Sequence, residues 1–403
     1  MDLKSGYPFW SVKNGLMHAF PPLQQDLRCD VAVVGGGISG ALIADDLAAH
    51  DFDVVVIEER DIGWGSTAAS TALIQYEIDT HMIDLAKRYG ERQAALAYCA
   101  CAEAIEQLRR LAASVRDVDF AMQKSLYYAS TPRDEKKLRA EFAIRARHGF
   151  SMDWLDADAL AERFGIAAPC AILSHLAARM DPYRMAYRLL TRLSKRGVPV
   201  FDRSRVAAIE PTARGVDLRT SDGRRVRCAH LVIAAGYASQ RWLKKPVAKN
   251  RSSYAFITES IAADVLGPLA NTLIWESARP YLYMRSTGDG RLIVGGEDDD
   301  VDVPSRRDRR VDKKALILAG KVQKMFPKLP MQASFSWAGT FAETEDGLPF
   351  FGPHRQYGPR VQFALAYGGN GITYSMIGAA LIRARIERRP HALAELFSFA
   401  RAG

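Results

Sequence analysis

Residues 30–59 constrain the fold of this chain more than any other stretch of the sequence. The stretch opens with a short apolar run over 31–34, which is followed by the glycines of a G-x-G-x-x-G motif: Gly35, Gly37 and Gly40. An alanine- and leucine-rich segment then leads to a second apolar run over 54–57, and Glu58 follows directly. The pattern predicts a strand, a tight turn, a helix and a second strand, which together form a βαβ unit.

A bound dinucleotide would explain each residue type in this unit. The first glycine permits the turn, the second lets the backbone approach a pyrophosphate, and the third lets the helix pack closely on the strand. The N–H groups at the helix start, around Ile38 and Ser39, would face the phosphates. Glu58, with Glu59 beside it, would accept hydrogen bonds from a ribose diol, which favours FAD or NAD over NADP. The acids do not distinguish FAD from NAD.

The segment over 60–67 continues with Arg-Asp-Ile-Gly-Trp-Gly-Ser-Thr and resembles the D-amino-acid-oxidase-like family of flavoproteins. In that family a turn of this composition runs beside FAD, so the resemblance favours FAD over NAD. An aromatic arm with Tyr7 and Trp10 before the first strand is similar to that of the family's γ-glutamylputrescine oxidoreductases. The resemblance implies FAD contacts along the turn and just after it, at Gly65, Ser66, Thr67, Thr71 and Ala72.

The second strong signal lies near the C-terminus. Residues 337–352 contain Trp-x-Gly and Thr-x-Asp-Gly-Leu-Pro, and an apolar run over 361–366 enters a loop with Gly-x-Gly-Ile that opens a helix. An ordinary helix start would explain the loop alone, but the combination resembles the part of the same family that closes over the flavin. There the helix N-terminus stabilises negative charge near the pyrimidine edge. The implied FAD contacts are Gly339, Gly369, Asn370, Gly371, Ile372 and Thr373, with Val206 and Gly236 from the middle of the chain.

We predict an α/β fold in which a Rossmann-like FAD-binding domain of the two-dinucleotide-fold type is interleaved with a substrate domain. Strand-like alternation over 249–336 predicts that the substrate domain, an α+β part, is built on an antiparallel sheet. The predicted FAD-binding parts are 26–81, 151–248 and 337–403, and the predicted substrate parts are 82–150 and 249–336.

Composition is that of a globular protein, with 403 residues of which 48% are hydrophobic. No apolar run approaches the roughly 20 residues that span a bilayer, and the N-terminus lacks the pattern of a signal peptide, so we expect a cytoplasmic protein. The five cysteines have no CxxC spacing, which favours reduced thiols over a metal site. The net charge of +9 is dispersed, which favours a solvated surface over a nucleic-acid patch.

The predicted substrate is a small amine or amino acid, oxidised at its C–N bond by hydride transfer to flavin N5. Candidate walls are Trp275, Tyr281, Tyr283 and Arg285 on the predicted sheet, and Gln75, Tyr76 and Glu77 where the chain passes the flavin. Gln75, Tyr283 and Arg285 are the candidate catalytic residues. Alternate residues of a strand share a face, so Tyr283 and Arg285 would point the same way.

Departures from the family favour an amine without an adjacent carboxylate. Glycine and D-amino-acid oxidases carry an arginine near the position of Phe341, and sarcosine oxidases carry one near Gln75. Arginine suits carboxylates because its planar fork donates two parallel hydrogen bonds. Arg285 keeps open the alternative of an enzyme similar to D-amino-acid dehydrogenases.

Further alternatives concern the cofactor and the partners. A domain of a tRNA-modifying enzyme also resembles this family, so an FAD-binding protein in RNA modification or assembly is the alternative to amine oxidation. Covalent attachment in relatives uses a histidine near Ala68 or a cysteine near Trp337, and neither stands there, which predicts non-covalent FAD. Oxygen, a quinone or another carrier could each reoxidise the flavin.

Overall fold

The computed structural model describes residues 2–301 and 303–402, which form two sheets with helices around them. The strands are β1 (Leu27–Val34), β2 (Val54–Ile57), β3 (Leu73–Gln75), β4 (Ala121–Tyr128), β5 (Met152–Asp156), β6 (Cys170–Arg179), β7 (Val200–Phe201), β8 (Val206–Pro211), β9 (Val216–Thr220), β10 (Arg225–Ile233), β11 (Lys249–Thr258), β12 (Thr272–Glu276), β13 (Leu282–Ser286), β14 (Leu292–Asp299), β15 (Ala333–Glu343), β16 (Phe350–Pro353) and β17 (Val361–Leu365).

The structure describes twelve α-helices. They are α1 (Phe9–Asn14), α2 (Ile38–Ala48), α3 (Ser66–Ala69), α4 (Met82–Tyr89), α5 (Glu91–Val115), α6 (Glu135–Arg147), α7 (Ala157–Phe164), α8 (Pro182–Lys195), α9 (Ala263–Leu266), α10 (Pro304–Asp308), α11 (Val311–Met325) and α12 (Gly371–Ile386). Short 3-10 helices cover Pro132–Asp134, Gly236–Trp242, Gly267–Ala270 and Phe399–Ala402. Among the helices described, none is long and apolar enough to cross a bilayer.

The first sheet has the strand order β16-β17-β10-β1-β2-β7, and all of these strands run parallel except β16. In its centre Val33 lies opposite Val56 on one side and Val232 on the other. Helix α2 packs against α8 and α12, so these short apolar strands are buried between layers, as parallel strands normally are. The first half of β10 also pairs with β9, which forms a hairpin with β8.

The second sheet has the order β15-β11-β14-β13-β12-β4-β6-β3, with β5 beside β6. Its neighbours are antiparallel except for β12 and β4, which run parallel. Helix α11 packs on one face, against β11, β14 and β15. The opposite face turns toward the carboxyl ends of the parallel strands of the first sheet, and this arrangement positions the site.

The predicted fold class is confirmed, with a parallel sheet and a mainly antiparallel sheet interleaved along the chain. The predicted domain boundaries stay predictions, and the sheets depart from them at two points. Strands β5 and β6 fall inside the predicted FAD-binding part 151–248 but pair in the second sheet. Strand β15 crosses the predicted boundary at 336 and also belongs to the second sheet.

Candidate active site

One elongated cavity lies between the two sheets. Its floor is formed where four parallel strands end, at Gly35 after β1, Glu58 after β2, Ala234 after β10 and Ala366 after β17. Ligands of open parallel sheets bind in this position because the loops after neighbouring strands meet at one edge. The predicted residues that line the cavity are Gly35, Gly37, Ile38, Ser39, Glu58, Glu59, Gly65, Ser66, Thr67, Thr71, Ala72, Gln75, Val206, Gly236, Tyr283, Gly339, Gly369, Gly371 and Ile372.

The first glycine turn has no room for side chains. Gly35 has φ +121°, and a Cβ there would lie 2.4 Å from the Ala234 carbonyl oxygen. A Cβ on Gly40 would lie 1.8 Å from the Gly35 carbonyl oxygen, so this glycine lies under the turn rather than in the cavity wall. Thr67 Oγ1 accepts a hydrogen bond of 2.9 Å from the Ile38 N–H, which ties the turn of α3 to the start of α2.

The predicted ribose acid is held rigidly at the end of β2. Glu58 accepts hydrogen bonds from the N–H groups of Gly36, at 2.7 Å, and Arg60, at 2.9 Å. Burial raises the pKa of Glu58, although both N–H groups oppose that rise. Its neighbour Glu59 instead forms an ion pair of 2.8 Å with Arg241, so Glu58 is the acid better placed for a buried diol.

The second glycine loop joins the two sheets at the opposite end. Gly369 N–H donates to Asp79 at 2.9 Å, and the Asn370 side chain donates to the carbonyls of Gln75, at 3.0 Å, and Glu77, at 2.9 Å. Asn370 and Thr373 do not line the cavity, although both were predicted to contact FAD. They shape the loop instead, because Thr373 Oγ1 donates to the Asn370 carbonyl at 3.1 Å.

Two indole rings hold the segment that connects α3 to β3. Trp10 Nε1 donates to the Ser70 carbonyl at 2.7 Å, and Trp337 Nε1 donates to the Ala69 carbonyl at 2.9 Å. The N-terminal arm also reaches the cavity, because Lys4 bridges to Gly339 at the edge of β15 and Leu3 lines the wall.

The substrate face of the cavity is aromatic. Trp275, Tyr281, Tyr283 and Phe341 line it from β12, the start of β13 and β15. The Tyr283 ring lies flat on β14, since a Cβ on Gly295 would fall 2.4 Å from it. Gln75 lines the same region, whereas Tyr76 and Glu77 are fully buried away from it.

Arg285 does not line the cavity. Its guanidinium is completely buried and donates to the carbonyls of Thr71, at 2.6 Å, Met180, at 3.0 Å, and Ser286, at 2.9 Å. Burial lowers its pKa to about 10. Arg285 was predicted to share a face with Tyr283, and its Nε reaches the Thr71 carbonyl in the cavity wall, so the side chain holds the segment between α3 and β3 instead of lining the cavity itself.

Two carboxylates at the substrate end were not among the predicted residues. Asp79 and Asp298 both line the cavity, and burial raises the pKa of Asp298 to about 7. Nothing in the sequence distinguishes Asp298 within the run of acids over 297–300. Asp79 stands four residues after Gln75, and this closeness to a predicted site residue is the signal that the sequence offers for it.

The residues of the cavity fit a dinucleotide. Four buried polar atoms of residues in the wall have no hydrogen-bond partner among the residues that the structure describes: Arg60 Nε, Ser66 Oγ, Gln75 Oε1 and Asp298 Oδ1. Buried polar atoms are normally paired, so these atoms are suited to a bound molecule. The glycine turn and the buried acid at one end, together with the glycine loop at the other, match the two ends of FAD.

The sequence model described as "FAD dependent oxidoreductase" (DAO) matches residues 30–385. The chain belongs to the DAO family of FAD-dependent oxidoreductases. The resemblance inferred from the two glycine loops is thereby confirmed, and the protein is an FAD-dependent enzyme.

Individual DAO relatives align over most of their length. The chain is 28% identical over 377 residues to γ-glutamylputrescine oxidoreductase of Escherichia coli (strain K12), which covers 90% of this chain and 84% of that protein. It is 26% identical over 374 residues to glycine oxidase of Geobacillus kaustophilus (strain HTA426), with 90% and 94% covered. The crystal structure of glycine oxidase from Geobacillus kaustophilus superposes with a TM-score of 0.77 at 20% identity, over 92% of this chain and 98% of that one.

Proposed function

We propose that this enzyme oxidises the C–N bond of a small amine that has no carboxylate on the carbon bearing the nitrogen. The observation that supports this is the charge of the substrate face, where Asp79 and Asp298 stand among aromatic rings. Of the described residues that line the cavity, the cationic ones are Arg60 and Arg241. Arg60 follows the ribose acid and Arg241 pairs with Glu59, so both belong to the nucleotide end.

Among the described residues that line this face of the cavity none is an arginine, so a carboxylate-bearing substrate would meet no arginine fork there. Phe341 and Gln75 line the cavity at the positions where the resemblance to amino-acid and sarcosine oxidases would call for arginine. Arg285, the remaining candidate, already donates to three backbone carbonyls. Burying a carboxylate without a cationic or hydrogen-bonded partner is unfavourable, so the face selects against it.

The protein's own part in the reaction is to bind the substrate, to orient it and to exclude water from it. Bound FAD would act as the electron sink and accept a hydride from the carbon next to the nitrogen. Trp275, Tyr281 and Tyr283 exclude water from the substrate, and an apolar wall favours the neutral amine. Tyr283 is fixed for this role because its hydroxyl lies 3.1 Å from Ser253 Oγ and its ring rests on Gly295.

FAD would be bound without a covalent link. Among the described residues that line the cavity there is neither a histidine nor a cysteine, the two attachment residues considered from the sequence. Retention would then depend on the two glycine loops, on Glu58 and on the segment held by the two indoles.

The test is anaerobic reduction of the purified yellow protein by matched pairs of substrates. Butylamine and norvaline differ by one carboxylate, as do isobutylamine and valine, and the loss of the oxidised flavin absorbance measures the reaction. We expect the amine of each pair to reduce the flavin faster. Faster reduction by norvaline and valine would reverse the assignment. No reduction by any amine or amino acid, together with tight RNA binding, would favour a role in RNA modification.

A further inference from the structure

Asp298 is aimed into the cavity by an irregularity in β14. Ser252 pairs with Asp299 and Tyr254 with Gly296, so Glu297 and Asp298 together lie opposite Ser253. This is a β-bulge, in which one extra residue re-aims the side chains around it. Glu297 has φ +54°, a conformation that L side chains rarely adopt and that persists only where the surroundings impose it.

Ion pairs on the far side of the sheet hold this bulge. Glu297 lies 2.6 Å from Lys321 and 3.3 Å from Lys314 of α11, and Asp299 lies 2.7 Å from Arg310 just before that helix. These two acids point away from the cavity, so the acid between them points into it. The strained backbone therefore has a definite result, which is the placement of one carboxylate at the substrate face.

The surroundings of Asp298 suit an exchange of protons with a bound cation. Its Oδ1 has no hydrogen-bond partner among the described residues. Burial raises the pKa of Asp298 to about 7; the nearby Ser253 hydroxyl opposes that rise, Asp79 and Glu343 add to it, and Arg279 opposes it. Arg279 is itself exposed, lies with its guanidinium 4.4 Å from the Tyr281 ring centroid, and does not line the cavity.

We propose that Asp298 binds the ammonium group of the substrate and takes one proton from it before the C–H bond is broken. This inference rests on the proposed amine oxidation. In the step, one N–H bond of the substrate breaks and one O–H bond forms on Asp298, so an alkylammonium and a carboxylate become a neutral amine and a carboxylic acid. No electrons change hands in the step. The neutral amine has the lone pair that helps hydride leave the adjacent carbon.

The pH dependence of flavin reduction tests this role. For the wild type, the second-order rate constant of anaerobic reduction by butylamine should rise with pH and level off above about 7, the pKa of Asp298. In Asp298→Asn the constant should fall by about 100-fold, the range of general base catalysis, and should keep rising toward the pKa of the amine itself. Asp300→Asn, at an exposed position two residues further on, should leave the constant within about twofold.

Ser253→Ala gives a second test that keeps the carboxylate. Because the Ser253 hydroxyl favours the charged form of Asp298, its removal should move the point of levelling off to higher pH. This shift is also measurable if Asp298→Asn does not accumulate as a yellow protein. A merely structural role for Asp298 would change flavin content and stability but would leave the pH profile of the remaining activity where it is.

The outcomes separate the two proposals. If no amine reduces the wild type, the proposed function fails and the role of Asp298 fails with it. If butylamine reduces the wild type but Asp298→Asn shows the same levelling off, amine oxidation stands and the role of Asp298 is overturned. An unmoved profile in Ser253→Ala, with Asp298→Asn also unmoved, would point to an ionisation of another group.

Discussion

At the scale of single residues, the glycines of the first turn are required by close contacts and not only by backbone freedom. A Cβ on Gly40 would overlap the Gly35 carbonyl oxygen at 1.8 Å, so helix α2 would have to move away from β1. We expect Gly40→Ala to lower the free energy of unfolding by at least about 1–3 kcal/mol and to reduce the FAD content of the purified protein. Chemical denaturation and the absorbance of the flavin per chain are the measurements.

The matched control is a glycine in another helix. A Cβ on Gly320, in α11, would meet nothing within 4 Å, and the residue is exposed. Gly320→Ala should therefore raise stability slightly, by about 0.5–1 kcal/mol, and leave the flavin content unchanged. Equal effects of the two substitutions would show that helix propensity, and not the contact with the turn, determines the result at Gly40.

Asp298 should also influence stability in a pH-dependent manner. Its pKa is raised in the folded state from 3.8 to about 7, so its stabilising contribution is fully present below about 4 and is lost as pH rises through about 7. Asp298→Asn does not lose stability in this way. The thermal midpoint of the variant should therefore rise relative to that of the wild type as the pH increases from 5 to 8. Lys249 and Arg251 lower the pKa of Asp300 below 3.8, so its contribution to stability changes only in acid, and Asp300→Asn should run parallel to the wild type between pH 5 and pH 8. Parallel curves for Asp298→Asn and wild type would contradict a raised pKa.

These residues differ in how well they can be predicted from the sequence. Gly35, Gly37 and Gly40 could be identified because their spacing matches a strand–turn–helix geometry that few other sequence patterns can form. Asp298 could not, because a one-residue slip of a strand exchanges its two faces and the bulge that re-aims it has no sequence pattern of its own.

At the scale of elements, the N-terminal arm contributes a hydrogen bond to the site in addition to Leu3 in the wall and the Lys4 bridge to β15. Trp10 Nε1 donates to the Ser70 carbonyl, in the segment that lines the cavity. Trp10→Phe keeps most of the ring but leaves that carbonyl unpaired, which should lower stability by about 1–3 kcal/mol and speed the release of FAD. Trp154→Phe changes an indole on β5 that does not line the cavity and should not alter FAD release. Equal rates of FAD release in both variants would show that the Trp10 hydrogen bond does not contribute to FAD binding.

Arg285 connects three elements, and its substitution should affect stability rather than specificity. A lysine cannot spread its donors to the carbonyls of Thr71, Met180 and Ser286 as the guanidinium does. We expect Arg285→Lys to lower the free energy of unfolding by about 1.5–3 kcal/mol and to leave the ratio of butylamine to norvaline reduction unchanged. A selective loss of norvaline reduction would restore Arg285 as a carboxylate ligand.

The boundaries of an element could be predicted where the periodicity was strong. The contacts that its side chains make with other segments could not. The alternation over 281–285 predicts strand β13, and the strand forms at Leu282–Ser286. The same alternation put Tyr283 and Arg285 on one face, yet the long guanidinium turns toward carbonyls of other segments. Long polar side chains follow their hydrogen-bond partners, and those partners come from tertiary contacts that a single strand does not encode.

At the scale of the whole molecule, the cavity exists only because segments far apart in sequence meet. The turn at Gly35, the segment around Thr67, the bulge at Asp298 and the loop at Gly369 come from different regions of the chain. Residue spacing predicted the first of these directly. The other segments were either predicted from the resemblance to a family or not predicted at all. The reason is that long-range packing, and not a local sequence pattern, determines where the two sheets meet.

Bound FAD should therefore stabilise the molecule as a whole. When the protein unfolds, FAD should dissociate from the chain in unmodified form. A ligand present at 100 times its dissociation constant adds about 2.7 kcal/mol to the free energy of unfolding, so the thermal midpoint of the flavin-free protein should rise with added FAD. AMP would fill only the end near Glu58, where we predict that the ribose binds, and should raise the midpoint less. If FAD is attached non-covalently, as we propose, the yellow colour should pass an ultrafiltration membrane after acid denaturation. Colour that stays with the chain would mean a covalent bond, and an equal response to AMP and FAD would mean that the two glycine loops do not bind the same molecule.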